Sequence, residues 1–243
     1  MKLDYIKHNK IPLTIATLVC FLIVALMFNA GDNVRENRVI TADLGVDNRP
    51  VIVLDAGHGG MDGGAVGANG ELEKDINLAV VKNLQQFLEF SGFRVVLTRD
   101  SDRSMHTEGV AGIRAQKVSD MENRRMVIDA HPNSLFFSIH QNRYTEEQYH
   151  GAQMFYTAQN TENARLAQIL QDSFALLQPG NDREIKMIEN DLYLFKSARQ
   201  PAVLIECGFL SNPDEAARLG SAEYQRQLAF AIYRGVMQYV EGA

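Results

Sequence analysis

Short apolar runs recur along the chain after residue 50 and alternate with longer stretches in which apolar and polar residues are mixed. The runs are four to eight residues long and rich in Val, Ile, Leu and Phe. Apolar runs of this length are typical of strands that are buried on both faces of a sheet. They predict strands over residues 51–55, 93–98, 135–140, 152–157, 192–195 and 201–206.

The longer stretches carry apolar residues at helical spacing. After Glu71, for example, Ile76, Val80 and Leu84 follow one another at intervals of four, which is the period of a helix with one buried side. Helices are predicted over residues 71–90, 119–130, 161–177 and 222–240, with a short one opening at Asn212-Pro213. Residues 56–70, which hold seven glycines, and residues 99–117 are predicted loops. Strands that alternate with helices predict one α/β domain over residues 51–243, with a mixed, mostly parallel central sheet flanked by helices.

The first fifty residues follow a different pattern. Residues 11–30 contain no charged side chain, and as a helix they would span about 30 Å, the thickness of a bilayer core. The lysines before this segment predict a cytoplasmic N-terminus over residues 1–10 and an extracytoplasmic remainder. A cleavable signal peptide is the alternative, but Phe28 stands where a small residue is expected, which favours an uncleaved anchor. Residues 31–50 are polar and are interpreted as a linker.

Charge excludes one class of function. The formal net charge is −6, and a nucleic-acid-binding protein is expected to carry a basic surface. No nucleic-acid partner is therefore predicted.

Titratable side chains close three of the apolar runs. His58 lies just after one predicted strand, and His140 and Glu206 end two others. Because polar groups at strand ends meet at the rim of an α/β sheet, we expect these side chains to converge. Two imidazoles and a carboxylate are a common ligand set for hydrolytic zinc, with one coordination position left for water. The sequence E-L-E-K-D at the next helix offers Glu71, Glu73 and Asp75 as the third ligand, and spacing does not decide between Glu71 and Glu73.

The glycine loop has a second interpretation. A glycine-rich segment after a strand can bind phosphate, but G-H-G-G-M-D-G-G lacks both the dinucleotide pattern and the lysine of a P-loop. Glycines that let the backbone approach a metal and a bulky substrate fit the segment better.

Other polar residues have simpler expected roles. Glu206 lies in an apolar setting that would raise its pKa, which suits proton transfer, although a structural carboxylate paired with an arginine is the alternative. Asn142 is expected either to contact substrate or to cap a loop, and Arg124-Arg125 to form a solvated or sheet-edge pair. Cys207 is expected to be a buried, inert thiol.

Five ordered motifs carry a family resemblance. They read DAGHGGMDGGAVG, ELEKDINL, TRDSD, FFSIHQN and PAVLIECGFLSN. In this order they resemble the zinc-dependent N-acetylmuramoyl-L-alanine amidases of bacterial cell walls, most closely the germination-specific, spore-cortex branch. The resemblance covers residues 51–240.

The resemblance implies roles for individual residues and partners. It implies that His58, Glu73 and His140 bind Zn²⁺, that Glu206 is the catalytic carboxylate, and that peptidoglycan is the substrate. Residues 11–30 would tie the enzyme to the membrane, and an accessory activating protein is a possible further partner. Two other functions stay open: a zinc peptidase that trims the stem peptide, and an inactive wall-binding module.

Overall fold

A mixed sheet of six strands organises the part of the chain that the structure, a computed structural model, describes: residues 49–188 and 192–242. The predicted cytoplasmic segment 1–10, the predicted anchor 11–30 and nearly all of the predicted linker lie outside these residues. Between residues 49 and 242, no described helix is both long and apolar enough to cross a membrane.

Four strands at one side of the sheet run parallel, and two at the other side run the opposite way. The strands are β1 (Val51–Ala56), β2 (Val95–Leu97), β3 (Ser134–Asn142), β4 (Gln153–Tyr156), β5 (Lys186–Met187) and β6 (Ala202–Phe209). Their order is β2-β1-β3-β6-β4-β5, with β4 antiparallel to β6 and β5 parallel to β4. The predicted mixed, mostly parallel sheet is confirmed.

Five helices within the described residues flank this sheet. They are α1 (Glu73–Phe90), α2 (Ile113–Asp129), α3 (Asn163–Leu177), α4 (Pro213–Leu219) and α5 (Ala222–Glu241). Helices α1, α3, α4 and α5 belong to one large apolar core, together with the strand residues that point to that face, such as Leu54 and Ile205. Helix α2 and a 3-10 turn at Tyr193–Phe195 cover a smaller core on the opposite face, against Val53 and Phe136.

The structure corrects one predicted element and one boundary, and it adds one strand. The predicted strand 192–195 is wrong, because Tyr193–Phe195 form the 3-10 turn, in which the neighbouring side chains of Leu194 and Phe195 are both buried. Helix α2 begins at Ile113 rather than near Ser119, inside the predicted loop 99–117. Its first turns are largely exposed, Ile113 included, so no apolar period marks them. Strand β5 has two exposed residues and no sequence signal.

Candidate active site

The glycine loop after β1 brings His58 back over the end of the sheet. His58 has a φ of 64°, an unusual conformation for a residue with a side chain. Arg124 donates to the His58 carbonyl oxygen at 2.5 Å and to the Ala56 carbonyl oxygen at 2.8 Å. A buried arginine on α2 therefore holds the backbone on either side of the turn.

Close packing in this loop requires glycine at two positions. A Cβ at residue 57 would lie 2.2 Å from the His140 ring, and one at residue 64 would lie 2.5 Å from Glu73 Oε2. Gly64 also has a φ of +68°, which glycine adopts at no steric cost. The glycines thus let the loop approach the imidazoles and the carboxylate closely.

Glu73 joins the two histidines. Its Oε2 lies 3.1 Å from His58 Nε2, and its Oε1 lies 2.9 Å from His140 Nδ1. The Glu73 side chain is buried at the first turn of α1, where it also accepts from the backbone amides of Ala65 and Gln141. Glu71 instead is bonded to Asn69 at the surface. The structure therefore places Glu73, and not Glu71, between the imidazoles.

The charges in this cluster depend on one another. Burial alone would raise the pKa of Glu73, but hydrogen bonds from His140 and His58 hold it well below its usual range. Burial alone would lower the pKa of His58, but the hydrogen bond and negative charge of Glu73, with help from Asp62, raise it. Asp62 Oδ2 lies 3.1 Å from His58 Nδ1, so a carboxylate orients the ring from the side away from Glu73.

The donor set fits a zinc ion. One ligand atom from each of His58, Glu73 and His140 lies within 4.8 Å of the other two. Atoms bound to one tetrahedral zinc at about 2.0–2.2 Å lie roughly 3.3–3.6 Å apart, so a small closure of this cluster would suffice. The contact from Asp62 to His58 is the outer support that metal-binding histidines usually have.

Glu206 lies beside His140 on the neighbouring strand. The two residues are direct partners in the parallel pairing of β3 with β6. Glu206 Oε2 is buried and has no hydrogen-bonding partner among the described residues. Burial, reinforced by the negative charge of Glu73 and opposed by His140 and His58, raises the pKa of Glu206 to about 7. A carboxyl group of this kind can accept and return a proton near neutral pH.

These side chains open into one cleft. It has a volume of about 440 Å³ and contains His58, His140 and Glu206 at its base, with Tyr193 and Phe195 on one wall. The family model for N-acetylmuramoyl-L-alanine amidase matches residues 52–238, which include all four clustered side chains and all of the sheet except Val51. The chain belongs to the N-acetylmuramoyl-L-alanine amidase family.

Individual amidases are similar over most of the domain. The germination-specific N-acetylmuramoyl-L-alanine amidase of Bacillus subtilis is 39% identical over 189 residues, which are 78% of this chain and 79% of that protein. The CwlD amidase from Clostridioides difficile, solved in complex with the GerS lipoprotein, is 38% identical with a TM-score of 0.77. That match covers 80% of this chain and 100% of that chain. An N-acetylmuramoyl-L-alanine amidase from Clostridium difficile 630 is 28% identical with a TM-score of 0.68, over 80% of this chain and 98% of that chain.

A buried ion pair lies behind the site of this amidase and corrects the expectation for Arg124. Rather than lying at the surface, its side chain is 2% exposed and donates to Asp55 Oδ1 at 2.6 Å and to Asp120 Oδ2 at 2.7 Å. Asp55 also accepts from the hydroxyls of Thr98 and Ser138. Burial would raise the pKa of Asp55, but the Arg124 charge and the two hydroxyls lower it to about 2.

Sequence reasoning missed this network and the contact of Asp62 with His58. Asp55 did carry a signal, since it is a charged residue at the end of an otherwise apolar strand. Its partner on α2 is 69 positions away, and nothing in the sequence links the two.

Asn142 lies on β3 two residues beyond His140, in the next groove rather than in the main cleft. Cys207 is fully buried, and burial raises the pKa of its thiol, as expected of an inert cysteine. Phe209 and Leu210 are core residues.

Proposed function

We propose that this amidase hydrolyses the amide between the lactyl group of N-acetylmuramic acid and the L-alanine of the peptidoglycan stem peptide, and that it depends on Zn²⁺. The observation that carries the proposal is the meeting of His58, Glu73 and His140 within 4.8 Å, with Glu206 paired to His140 on the next strand. The family match supplies the reaction class.

His58, Glu73 and His140 would hold the ion. Bound zinc would polarise the scissile carbonyl and lower the pKa of a water molecule at the open coordination position to about 7. Asp62 would keep His58 in position through its Nδ1 contact at 3.1 Å. The cleft walls beside the site would exclude bulk water from the reacting amide.

Glu206 would move the protons. Its carboxylate takes a proton from the attacking water, and the water oxygen forms the new bond to the lactyl carbonyl carbon. The same carboxyl group returns the proton to the nitrogen as the amide bond breaks. The products are a free lactyl carboxylate on the glycan and a free amine on L-alanine. A carboxyl group with a pKa near 7 is suited to both transfers.

The cellular setting is part of the proposal. Residues 11–30 would anchor the enzyme with its N-terminus in the cytoplasm, residues 31–50 would act as a linker, and residues 51–243 would lie outside the membrane. The germination-specific relative supports a role in the spore cortex, where freed muramic acid would serve muramic lactam formation. The lipoprotein in complex with the amidase from Clostridioides difficile supports an accessory protein partner for this chain.

Mass analysis of muropeptides tests the reaction. The full chain is incubated with purified peptidoglycan and zinc, and we expect intact stem peptides to be released from the glycan with a new N-terminal alanine. Shortened peptides still attached to glycan would indicate a zinc peptidase instead. Binding to the wall without release of any amine would indicate an inactive wall-binding module.

A further inference from the structure

A second groove opens on the same face of the sheet as the catalytic cleft. It has a volume of about 370 Å³ and lies over β4, β5 and the end of β6. We call it the cationic groove. Its lining includes the aromatic rings of Tyr149, Phe155 and Phe209, the amide of Gln153, and the cations Arg183 and Lys186.

Both charged residues of the cationic groove are positive, and neither has an acidic partner among residues 49–188 and 192–242. In the described part of the chain, no carboxylate oxygen lies within 4 Å of Arg183 or Lys186. The reaction proposed above uses neither residue. Two cations beside a concave surface, with no carboxylate partner in the described part of the chain, favour an anionic ligand.

Arg183 is held in place rather than extended into solvent. Its Nε donates to the His150 carbonyl oxygen at 2.7 Å, and its guanidinium carbon lies 4.4 Å from the centre of the Phe209 ring. A fixed guanidinium loses little entropy when it binds a carboxylate, and the pairing can use two parallel hydrogen bonds.

The strand pairing sets the distance from this groove to the reacting bond. Gln153 on β4 is the direct partner of Glu206, and Lys186 on β5 is the direct partner of Phe155. Two strand spacings and two residues along β4 separate the backbones of Glu206 and Lys186 by about 12 Å. A peptide of about three extended residues spans this distance.

The positive charge of the groove favours the stem peptide over the glycan as its ligand. The glycan is neutral at a muramic acid whose lactyl carboxyl is in amide linkage, whereas the stem peptide carries free carboxylates within its first residues. We propose that the cationic groove is the subsite for the stem peptide, where Arg183 and Lys186 bind a peptide carboxylate and Phe209 and Tyr149 support its apolar parts. This inference rests on the proposed amidase function and specifies its substrate side.

A matched pair of substrates tests the subsite. Two soluble muramoyl tripeptides are prepared that differ only in whether the C-terminal carboxylate, on the third peptide residue, is free or converted to an amide. For the full chain with zinc, we expect the amidated substrate to have a KM about tenfold or more higher, since a hydrogen bond to a charged group is lost. The kcat should change less than threefold, because the carboxylate is remote from the reacting bond.

Substitutions test whether Arg183 and Lys186 cause the preference for the free carboxylate. R183Q should raise KM for the free carboxylate by about tenfold and remove the preference between the two substrates. K186Q should do the same to a smaller extent, and its exposed side chain leaves folding unaffected. The control K82Q/R226Q removes two surface charges from helices on the opposite face and should retain the full preference.

The possible outcomes distinguish a failure of the proposed subsite from a failure of the proposed reaction. Equal kcat/KM of the wild-type chain for the two substrates, or a preference that survives in both R183Q and K186Q, would overturn the subsite. Binding of the two substrates is also measured by calorimetry. If the free carboxylate is preferred there and the preference is lost in R183Q while no amide bond is cut, the subsite stands and the proposed reaction fails.

Discussion

The two faces of the central sheet differ in composition: one is packed against a large, mainly apolar core, and the other combines a smaller apolar core with charged groups at the strand ends. One face packs against α1, α3 and α5 through side chains that are wholly buried and apolar, such as Leu84, Leu170 and Ile232. On the other face, the carboxyl ends of the strands carry Asp55, His140 and Glu206. Because side chains alternate along a strand, β1, β3 and β6 serve both faces at once.

The apolar face makes the sheet rigid, and the other face carries the groups that do the chemistry. Burial of apolar surface fixes the strands from one side without specific partners. On the other side, buried charges must be paired, and Arg124 provides that pairing through Asp55, Asp120 and two backbone carbonyls. The site therefore rests on a rigid sheet, while its own geometry depends on a few polar contacts. Changes on the two faces should have different consequences.

The largest effect is expected from Glu206, which should affect turnover alone. E206Q removes the group proposed to transfer protons but keeps its shape, so amine release from peptidoglycan should fall by about 10²–10⁴-fold. Zinc content and thermal midpoint should match the wild-type protein. E223Q, on the exposed first turn of α5, is the control and should retain full activity. An active E206Q protein would show that another group carries the protons.

The next largest effect concerns the buried ion pair. R124M leaves Asp55 buried without its cation, which should cost about 3–5 kcal/mol of unfolding free energy, measured by urea denaturation. Activity per folded molecule should fall as well, because the His58 turn loses a donor. L84A, on the apolar face, should cost a similar 2–5 kcal/mol but leave activity per folded molecule unchanged.

A double substitution tests whether the unpaired charge of Asp55 causes the loss of stability in R124M. In D55N/R124M both charges are gone, and removal of both members of a buried pair is far less costly than removal of one. The double variant should therefore be more stable than R124M. A double variant less stable than R124M would mean that the carboxylate of Asp55 stabilises the fold through Thr98 and Ser138 rather than through Arg124.

Acidification should have a smaller effect on the free energy of unfolding. The pKa of Asp55 falls from 3.8 to about 2 on folding. A lowered folded pKa contributes stability above the unfolded value, and that stability is lost as pH falls from about 4 to 2. The difference in pKa corresponds to about 2 kcal/mol. Unfolding of chelator-treated protein at pH 5 and pH 2 measures it, and D55N should show a pH dependence weaker by that amount. An identical dependence in D55N would contradict the assignment.

The smallest effect is expected from a helix cap on the apolar face. The Ser221 hydroxyl accepts from the amide of Tyr224 at the start of α5. S221A should cost about 1 kcal/mol, seen as a lower denaturant midpoint, with unchanged amine release. S221T should recover most of the loss. A fall in activity without a fall in stability would mean that α5 affects the site.

The apolar face was the more predictable of the two. Helices α1 and α5 show their apolar period in the sequence because burial and periodicity coincide there. The buried side of α2 includes Arg124, and an arginine in a helical pattern is normally assigned to solvent. For this reason the ion pair was missed, whereas the predicted start of α2 was six residues late because its first turns are largely exposed.

The clustered residues of the candidate site were predictable from the sequence, but the residues that hold them in position were not. His58, His140 and Glu206 end apolar strands, and parallel strands bring such ends together. The residues alone left Glu71 and Glu73 open, since both lie close to the start of α1. The helix geometry points Glu73 inward. The contacts of Asp62 and Arg124 to the His58 turn arise from loop geometry, which periodicity does not encode.

The central claim is that His58, Glu73 and His140 hold a metal ion needed for hydrolysis. The most direct test strips the full chain with a chelator and follows new alanine amines released from purified peptidoglycan, together with zinc content. The account predicts that activity falls to background without zinc and returns as about one zinc per chain is restored, and that H140A neither retains zinc nor recovers. A zinc-free chain that releases amines at the original rate would contradict the account.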